Sequence, residues 1–417
     1  MFGRVKKLFF NSELLKKYLL WGIKRALIPF MMPFVLVAFS IRKWILFRVG
    51  PIPTHRIGAV AFNVEFYLAY KEVYGFPEKT IDLFYPTGIP ANSYFTSLCR
   101  NAIILHPIFE VFWLSTYFIP GGARHRFKSR TLESAATNQD HLGLFRRTKP
   151  HLTIPADKDR RGRQYLSQIG LKEGSRFICL CLRDDSYLGQ IKNKNYENDF
   201  SYHAYRDVDA DNYQKAVLAL ADRGYWIFRM GKVVKKPFKI DHPRIIDYAY
   251  APEKCDFLDV WLLANCYFTV STGLGIDAIA EIFRRPLCVV DYLPSADIKF
   301  SQKGITTPKT LMWRETGIEL TVEEHLLHDY YDSKKYYDAG IDVVNLSADN
   351  LTASVLHMDD QLMGNAMESQ LEHDQQKYFW QMMEAHYKKR GHSITVHPEA
   401  RISPSFLRQL KLPTKVI

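Results

Sequence analysis

Cysteine is scarce in this sequence of 417 residues, and its six copies (Cys99, Cys179, Cys181, Cys255, Cys266 and Cys288) form no C-x-x-C pair. No histidine cluster stands at zinc-ligand spacing either, which argues against a disulfide scaffold and a zinc module. Cys179 and Cys181 alternate within an apolar run, as buried reduced thiols do, and such thiols fit a cytoplasmic compartment. Glycine and proline, 22 and 20 copies, follow no fixed period, so a collagen-like chain is excluded. No internal repeat and no low-complexity stretch is present. Charged residues are 24% and apolar residues 47%, too balanced for a disordered chain or a polytopic membrane protein. Aromatics, at 14%, are plentiful; sheet cores and base- or sugar-stacking sites both draw on them.

The net charge of +12 is concentrated at one end. Ten basic residues (Arg4, Lys6, Lys7, Lys16, Lys17, Lys24, Arg25, Arg42, Lys43, Arg48) meet one acid, Glu13, in residues 1–50. The rest of the chain is near neutral, unlike a nucleic-acid binder, which carries its charge across a folded face. The same arm holds an uncharged apolar run, Ala26 to Ile41, bracketed by Lys24-Arg25 and Arg42-Lys43. It is short of the roughly 20 residues of a spanning helix, and Pro29 and Pro33 interrupt it. No A-x-A-like cleavage site follows it. The expectation is an interfacial segment, apolar side chains in the acyl boundary and basic ones on anionic headgroups. The plainer reading is a helix packed on the protein's own body.

Beyond the arm, His55 to Phe62 reads as a strand followed by Asn63 and Glu65, with a helix from Phe66 to about Val73. Thr80 to Tyr85 reads as a second strand, residues 92–119 as buried helix, and the polar stretch from Pro120 to Pro155 as loops. The second half is more regular. A helix from Arg160 to Ile169 leads to the strand Phe177–Leu182, apolar on both faces as in a covered parallel sheet. A helix capped by Asp211 follows. Strands at 225–228, 244–246, 267–270 and 287–290 come next, with helices at 256–264 and 276–283. Such alternation predicts a doubly covered parallel sheet. From Asp349 the pattern is helical. The predicted domains are 1–50 (arm), 51–155, 156–330 and 331–417 (a helical extension).

Ligands of open parallel sheets bind beyond the carboxyl ends of the strands. Those ends carry Arg183-Asp184-Asp185, Arg229-Met230-Gly231, Asp247-Tyr248, Ser271-Thr272-Gly273-Leu274-Gly275 and Asp291-Tyr292. The Ser/Thr/Gly loop opens a helix, so its amides are expected to face an anion. Gly273 and Gly275 permit close backbone approach, the hydroxyls of Ser271 and Thr272 can donate to phosphate, and Arg183 and Arg229 match its geometry. A diphosphate is the natural guest. One alternative is that the glycines only let helix and strand pack. Another is an NAD-type site, since Gly273-x-Gly275-x-x-Ala278 fits the dinucleotide fingerprint and Asp291 follows near the required offset. The Asp207-x-Asp209-x-Asp211 run has the look of a metal motif but reads more simply as loop and cap. A non-catalytic membrane-associated scaffold is a third reading.

The segments Ile245 to Tyr248, Asp256 to Cys266, Phe268 to Gly273 and Arg285-Pro286-Leu287 resemble, in order, the donor half of GT-B glycosyltransferases, heptosyltransferases among them. Leu182-Arg183-Asp184 followed by a tyrosine, Tyr205-Arg206-Asp207, and Gly224 to Gly231 resemble more closely a family of uncharacterised bacterial glycosyltransferases associated with surface-polysaccharide genes. The Leu-Arg-Asp strand end also resembles the donor-phosphate motif of fucosyltransferases. The likeness covers residues 175–295. It implies two Rossmann-like α/β domains facing a cleft, with a nucleotide-sugar in the C-terminal one and a glycan or lipid-linked acceptor in the other. It implies no metal or other cofactor, and a place at the inner face of the plasma membrane, where the arm would sit. The donor contacts it implies are Arg183, Asp184, Arg206, Arg229, Gly231, Asp247, Tyr248, Ser271, Thr272, Gly273 and Gly275. If transfer inverts the anomeric centre, an acceptor-side base is needed. Glu65 is the candidate, with Arg56 and Asn63 as acceptor contacts.

Overall fold

The computed structural model describes residues 12–75, 79–127, 139–186 and 201–410, with the side chains of 12–17 and 201 excepted. Arg4, Lys6 and Lys7 of the arm, the side chains of Lys16 and Lys17, and the tyrosine after Asp184 lie outside that description. The chain divides into two compact units, Met1–Ala136 and Thr137–Ile417. The predicted boundary at 155 thus gives way to one at 136, and the arm belongs to the first unit.

The first unit begins with α1 (Ser12–Ala26) and α2 (Ile28–Ser40). They meet at a bend of 51° at Leu27, just ahead of Pro29. Then come β1 (Leu46–Ile52), α3 (Ile57–Tyr74), β2 (Thr80–Pro86), α4 (Ser93–Ala102) and α5 (Ile108–Ser115). β1 and β2 pair in parallel with Leu46 opposite Thr80, so β1-α3-β2 is one βαβ unit. Arg48 clamps Asp82 across the pair with two hydrogen bonds of 2.7 and 2.8 Å, and the Tyr67 hydroxyl of α3 donates to the same carboxylate at 2.8 Å. The first strand is therefore Leu46–Ile52, and the segment read as a strand, His55–Phe62, is the start of a helix. Every residue from Val60 to Tyr67 is buried, so no polar face marks the helical period.

α2 serves two surroundings. Val35 and Ala38 enter a core with Val49, Leu83, Tyr85 and Phe112. Phe30, Phe34 and Val37 stay 75%, 68% and 59% exposed. α2 thus packs on the body of its own unit, as the plainer reading expects, and still presents an apolar outer side. Among the described residues no single helix is long and apolar enough to cross a membrane, though α1 and α2 together form a bent apolar pair.

The second unit is built on a parallel sheet of seven described strands, in the order β11-β8-β7-β6-β3-β4-β5. These are β3 (Phe177–Cys181), β4 (Trp226–Met230), β5 (Ile245–Ile246), β6 (Phe268–Ser271), β7 (Leu287–Tyr292), β8 (Gly304–Pro308) and β11 (Ala400–Ile402), while β9 (Thr310–Trp313) and β10 (Ile341–Val344) pair apart. The helices are α6 (Ala156–Gln168), α7 (Gln214–Asp222), α8 (Asp256–Asn265), α9 (Asp277–Ile282), α10 (Ala348–Met363) and α11 (Gln370–Lys389), with further short ones at Leu144–Arg147, Val322–Leu327, Ser333–Asp338 and Pro404–Leu407. Side chains alternate across the sheet. Ile178, Leu180, Phe268 and Val270 pack on α7 and α10 through Val217, Leu220, Leu351 and Val355. On the opposite face Phe177 stacks on Trp261 of α8, and a Cβ at Gly162 of α6 would lie 2.1 Å from the Trp261 ring. The described cysteines are all free, and all but Cys255 are buried.

Two expectations are corrected here. Residues 331–417 are no extension, because α10 covers the sheet and β11 adds a strand to it. Asp211 does not cap α7 directly; Asp209 caps a single 3-10 turn at Ala210–Tyr213 that runs into the helix.

Candidate functional site

The sheet starts at β3, grows through β4 and β5, and then returns to place β6 on the other side of β3. The carboxyl ends of β3 and β6 are therefore a topological switch point, where loops leave in opposite directions and open a crevice. Arg183 follows β3 and Thr272 follows β6. The Arg183 amide donates to Thr272 Oγ1 at 3.0 Å, and the Thr272 amide donates to the Cys181 carbonyl at 3.1 Å.

Three cations gather there. Arg183 donates through Nε to Asp207 Oδ1 at 3.1 Å. Arg206 donates through Nη2 to the Gly273 carbonyl, while its buried Nε has no partner. Lys309, just past β8 and 1% exposed, donates to the Asp207 carbonyl at 2.9 Å and to Asn345 Oδ1 at 2.6 Å. Burial and then the Arg206 charge pull the Arg183 pKa down. Burial, opposed by Asp291 and Asp207, brings Lys309 down to about 8. Asp207 is the carboxylate held directly by this group. An incoming anion stabilises the charged forms of Arg183 and Lys309 against that burial.

Gly273 closes the inner wall. Its φ is +78°, and a Cβ there would lie 2.4 Å from the Tyr292 ring. The peptide can thus lie against Tyr292 and turn its carbonyl to Arg206 only while position 273 is glycine.

The Ser271–Gly275 loop departs from expectation in its polar groups. The Ser271 hydroxyl donates to Asp277 Oδ2 at 2.8 Å, the Gly273 amide to Ser271 Oγ at 3.0 Å and the Leu274 amide to Asp277 Oδ2 at 2.9 Å. Asp277 is fully buried, and burial raises its pKa. Ser271 and two amides expected to face an anion are therefore spent inside the loop, and α9 is under two turns long. The positive character comes from side chains more than from a helix end. Gly275 is exposed.

Four other predicted donor contacts are engaged with neighbouring parts of the protein. Arg229 is 2% exposed and donates to Asp247 Oδ1 at 3.2 Å and to the Lys236 carbonyl at 3.3 Å; Asp247 Oδ2 accepts the Phe238 amide at 2.7 Å. Tyr248 is wholly buried, its hydroxyl accepting the Cys255 amide at 3.1 Å. A Cβ at Gly231 would strike Val234. Arg229, Gly231, Asp247 and Tyr248 thus pin the loops after β4 and β5. Arg229 lies within its strand, so it projects from a sheet face and not off the edge. Asp184 accepts the Ser186 and Lys235 amides at 3.0 and 2.8 Å, tying the loop of Arg183 to the same region.

The dinucleotide reading meets a direct obstacle. Asp291, its ribose ligand, is 1% exposed, accepts the Tyr213 hydroxyl at 2.6 Å and the Leu346 amide at 2.7 Å, and has no oxygen left over for a ribose. The Asp207–Asp211 run is also divided: Asp207 holds Arg183, while Asp209 and Asp211 both bind Lys236 at the surface.

In the first unit, Glu65 lies in mid-α3 with no exposed surface; the Cys99 thiol of α4 is pushed up mainly by burial, and the Glu65 charge adds to that. Asn63 is also buried in α3, and Arg56, exposed, precedes its first turn. Glu65 and Asn63 were placed beyond a strand that is a helix, and both are buried within that helix. Lys309 and Tyr292 were missed as site residues. Lys309 follows Gly304–Pro308, a strand with one large apolar residue, Ile305, and so no strand end marked it in the sequence.

No protein-family model and no curated protein matches the sequence. Remote likenesses are found among solved structures. A family 9 glycosyl transferase from Veillonella parvula DSM 2008 is 9% identical over 76% of this chain and 97% of its own, with a TM-score of 0.45. The ADP-heptose lipopolysaccharide heptosyltransferase II of E. coli is 12% identical over 63% of this chain and 84% of its own, with a TM-score of 0.34. An E. coli heptosyltransferase bound to ADP-2-deoxy-2-fluoro heptose is 11% identical over 62% of this chain and 88% of its own, with a TM-score of 0.26.

Proposed function

We propose that this chain is a glycosyltransferase that binds a nucleotide-sugar at the β3/β6 switch point and passes its sugar to a glycan or lipid-linked acceptor of the cell surface. The observation that carries the reading is the convergence of Arg183, Arg206 and Lys309 on the Thr272–Gly273 turn. Fixed cations at that point meet the negative charge that builds on a phosphate leaving group as the glycosidic carbon departs. On this reading the nucleotide-sugar is a substrate, and the side-chain cations supply the stabilisation without a resident metal. The sequence resemblance over residues 175–295 supports the same class of donor.

The arm supports a place at the cytoplasmic membrane surface. Lys24, Arg25, Arg42 and Lys43 bracket the exposed face of Phe30, Phe34 and Val37, the arrangement that suits an anionic bilayer. A lipid-linked acceptor of surface-polysaccharide or lipopolysaccharide assembly lies on such a surface.

Thermal shift against UDP, GDP, dTDP, ADP, CMP and NAD tests the proposal. A ligand that binds only the folded state at 100 times its Kd adds about 2.7 kcal/mol. Stabilisation by one nucleoside phosphate, lost in Arg206→Ala, is the expected result. Stabilisation by NAD alone, or by none, overturns it.

A further inference from the structure

We infer that Asp297, ringed by tyrosines beside the cation cluster, receives the sugar of the donor, and that it selects a neutral or amino sugar against an acidic one. This rests on the transferase reading above and lies wholly within the second unit.

β7 runs beside β6, so its carboxyl end opens on the same edge as Thr272 and Gly273. Tyr292 ends β7 against the Gly273 turn, and a single 3-10 turn, Ser295–Asp297, follows. The backbone of that turn is pinned. The Asp297 amide donates to the Pro294 carbonyl at 3.0 Å, and Gln139 Nε2 donates to the Asp297 carbonyl at 2.8 Å. Its half-buried carboxylate is approached by phenols from separate elements. The Tyr331 hydroxyl, from the loop before Ser333–Asp338, lies against it. Tyr387 of α11 is 4% exposed and within range of the Asp297 charge, and its buried hydroxyl has no hydrogen-bond partner among the described residues. Burial raises the pKa of Tyr292 and of Tyr205; in each case Asp297 adds to the rise and Arg206 opposes it, so both rings lie within reach of the carboxylate and of the guanidinium.

The charge along this edge therefore changes sign. On the Thr272 side stand Arg183, Arg206 and Lys309, with Asp207 between them. Beside Asp297 the cations are Arg390 and Lys299, and each has an acid of its own: Asp329 for Arg390, and Glu281 for Lys299 at 3.2 Å. Among the described residues no ion pair reaches the Asp297 carboxylate. A nucleotide-sugar has the same polarity, an anionic phosphate joined to a ring of hydroxyls. A carboxylate accepts from neighbouring hydroxyls or from an ammonium, tyrosine rings cover the apolar faces of a sugar, and an unpartnered phenol such as that of Tyr387 supplies one bond more. The carboxylate of a uronic or ulosonic acid would meet like charge there, with Arg390 and Lys299 already paired.

The test measures binding to the full chain by calorimetry. UDP, GDP, dTDP, ADP and CMP are compared bare and joined to a neutral sugar, an amino sugar and a uronic or ulosonic acid. The nucleotide that binds is expected to gain about tenfold or more in affinity from a neutral or amino sugar and nothing from an acidic one. Asp297→Asn keeps the shape and removes the charge. It is expected to abolish most of that gain, to leave the bare nucleotide unchanged and to narrow the gap to the acidic conjugate. Tyr387→Phe is expected to lose part of the same gain, about 3- to 10-fold, whereas a phenol that only fills the core would not alter the difference between conjugate and bare nucleotide. An acidic conjugate that binds as tightly as the neutral one overturns the assignment while leaving the transferase reading in place. So does a panel in which no sugar adds to the bare nucleotide, or an Asp297→Asn variant that weakens bare nucleotide and conjugate alike. Absence of binding by every nucleotide and conjugate overturns the transferase reading and Asp297 with it.

Discussion

The main-chain amide of Arg183 donates to Oγ1 of Thr272 at 3.0 Å, and this bond joins β3 to β6 where the chain reverses its march across the sheet. It brings a guanidinium beside a glycine turn, and with them Arg206 and Lys309. The predictions below separate this cluster from the residues that only build its scaffold.

Arg206→Gln removes a cation whose Nε has no partner in the protein. Loss of a charged hydrogen bond costs about 1.5–3 kcal/mol. Nucleoside phosphate affinity is expected to fall about 10- to 100-fold by calorimetry, with the melting temperature of the free protein little changed.

Lys309 gives the site a pH signature. Its folded pKa, lowered mainly by burial to about 8, lies below that of a free lysine. Below pH 8 the ammonium is present and attracts an anion; above it the neutral amine does not, and binding must take up a proton. Affinity for the nucleoside phosphate is expected to fall as pH rises from 7 to 9, and Lys309→Met is expected to flatten that fall. The same shift acts oppositely on folding: between pH 8 and the pKa of the unfolded lysine the unfolded chain holds the extra proton, so this group's contribution to stability rises with pH there.

Asp247→Asn is expected to destabilise the fold without touching the ligand. It leaves the Arg229 guanidinium buried and unpaired, a change that costs about 3–5 kcal/mol. Denaturant unfolding should show the loss, and the surviving folded protein should bind nucleotide as wild type does. Weakened binding at full stability would return Arg229 and Asp247 to the donor site.

Gly273→Ala meets both a positive φ and the Tyr292 ring. Left-handed backbone at a non-glycine residue costs about 1–2 kcal/mol before the clash is counted. Both the melting temperature and the nucleotide-induced shift are expected to drop, whereas Gly174→Ala, at positive φ but in open space, is expected to lower only the former.

The bilayer proposal is better tested by substitution than by deletion, because removing α2 would strip Val35 and Ala38 from the core. Burying one phenylalanine is worth about 1.5–3 kcal/mol. Phe30→Ser with Phe34→Ser is expected to lower partitioning onto anionic vesicles at least about tenfold in a sedimentation assay. Unchanged partitioning would remove the arm from the attachment.

Much of the second unit was legible because its central strands are buried on both faces and the helices α6 and α7 run into Gly170 and Gly224, both at positive φ. Phe177–Cys181 and Phe268–Ser271 stand out for that reason. The first unit hid its strand: β1 carries Arg48, Gly50 and Pro51, which mimic a loop, and their support comes from Asp82 and from Phe127, distant in sequence. Residues 57–69 of α3 are buried on nearly all sides and showed no period. At the site, position told which residues reach the edge of the sheet and not where their side chains turn. Arg183 and Arg229 looked equivalent, and only the first leaves its strand before it acts. Lys309 became visible only when β8 joined the sheet.

β11, the strand beside β8, is drawn from Ala400–Ile402, so everything from Lys309 to Glu399 must leave the ribosome before that flank of the sheet is covered. Until then β8 offers a bare edge to any neighbouring nascent chain. Shortened products ending before Ala400 should therefore aggregate during synthesis, even though the residues around Thr272 would all have been made.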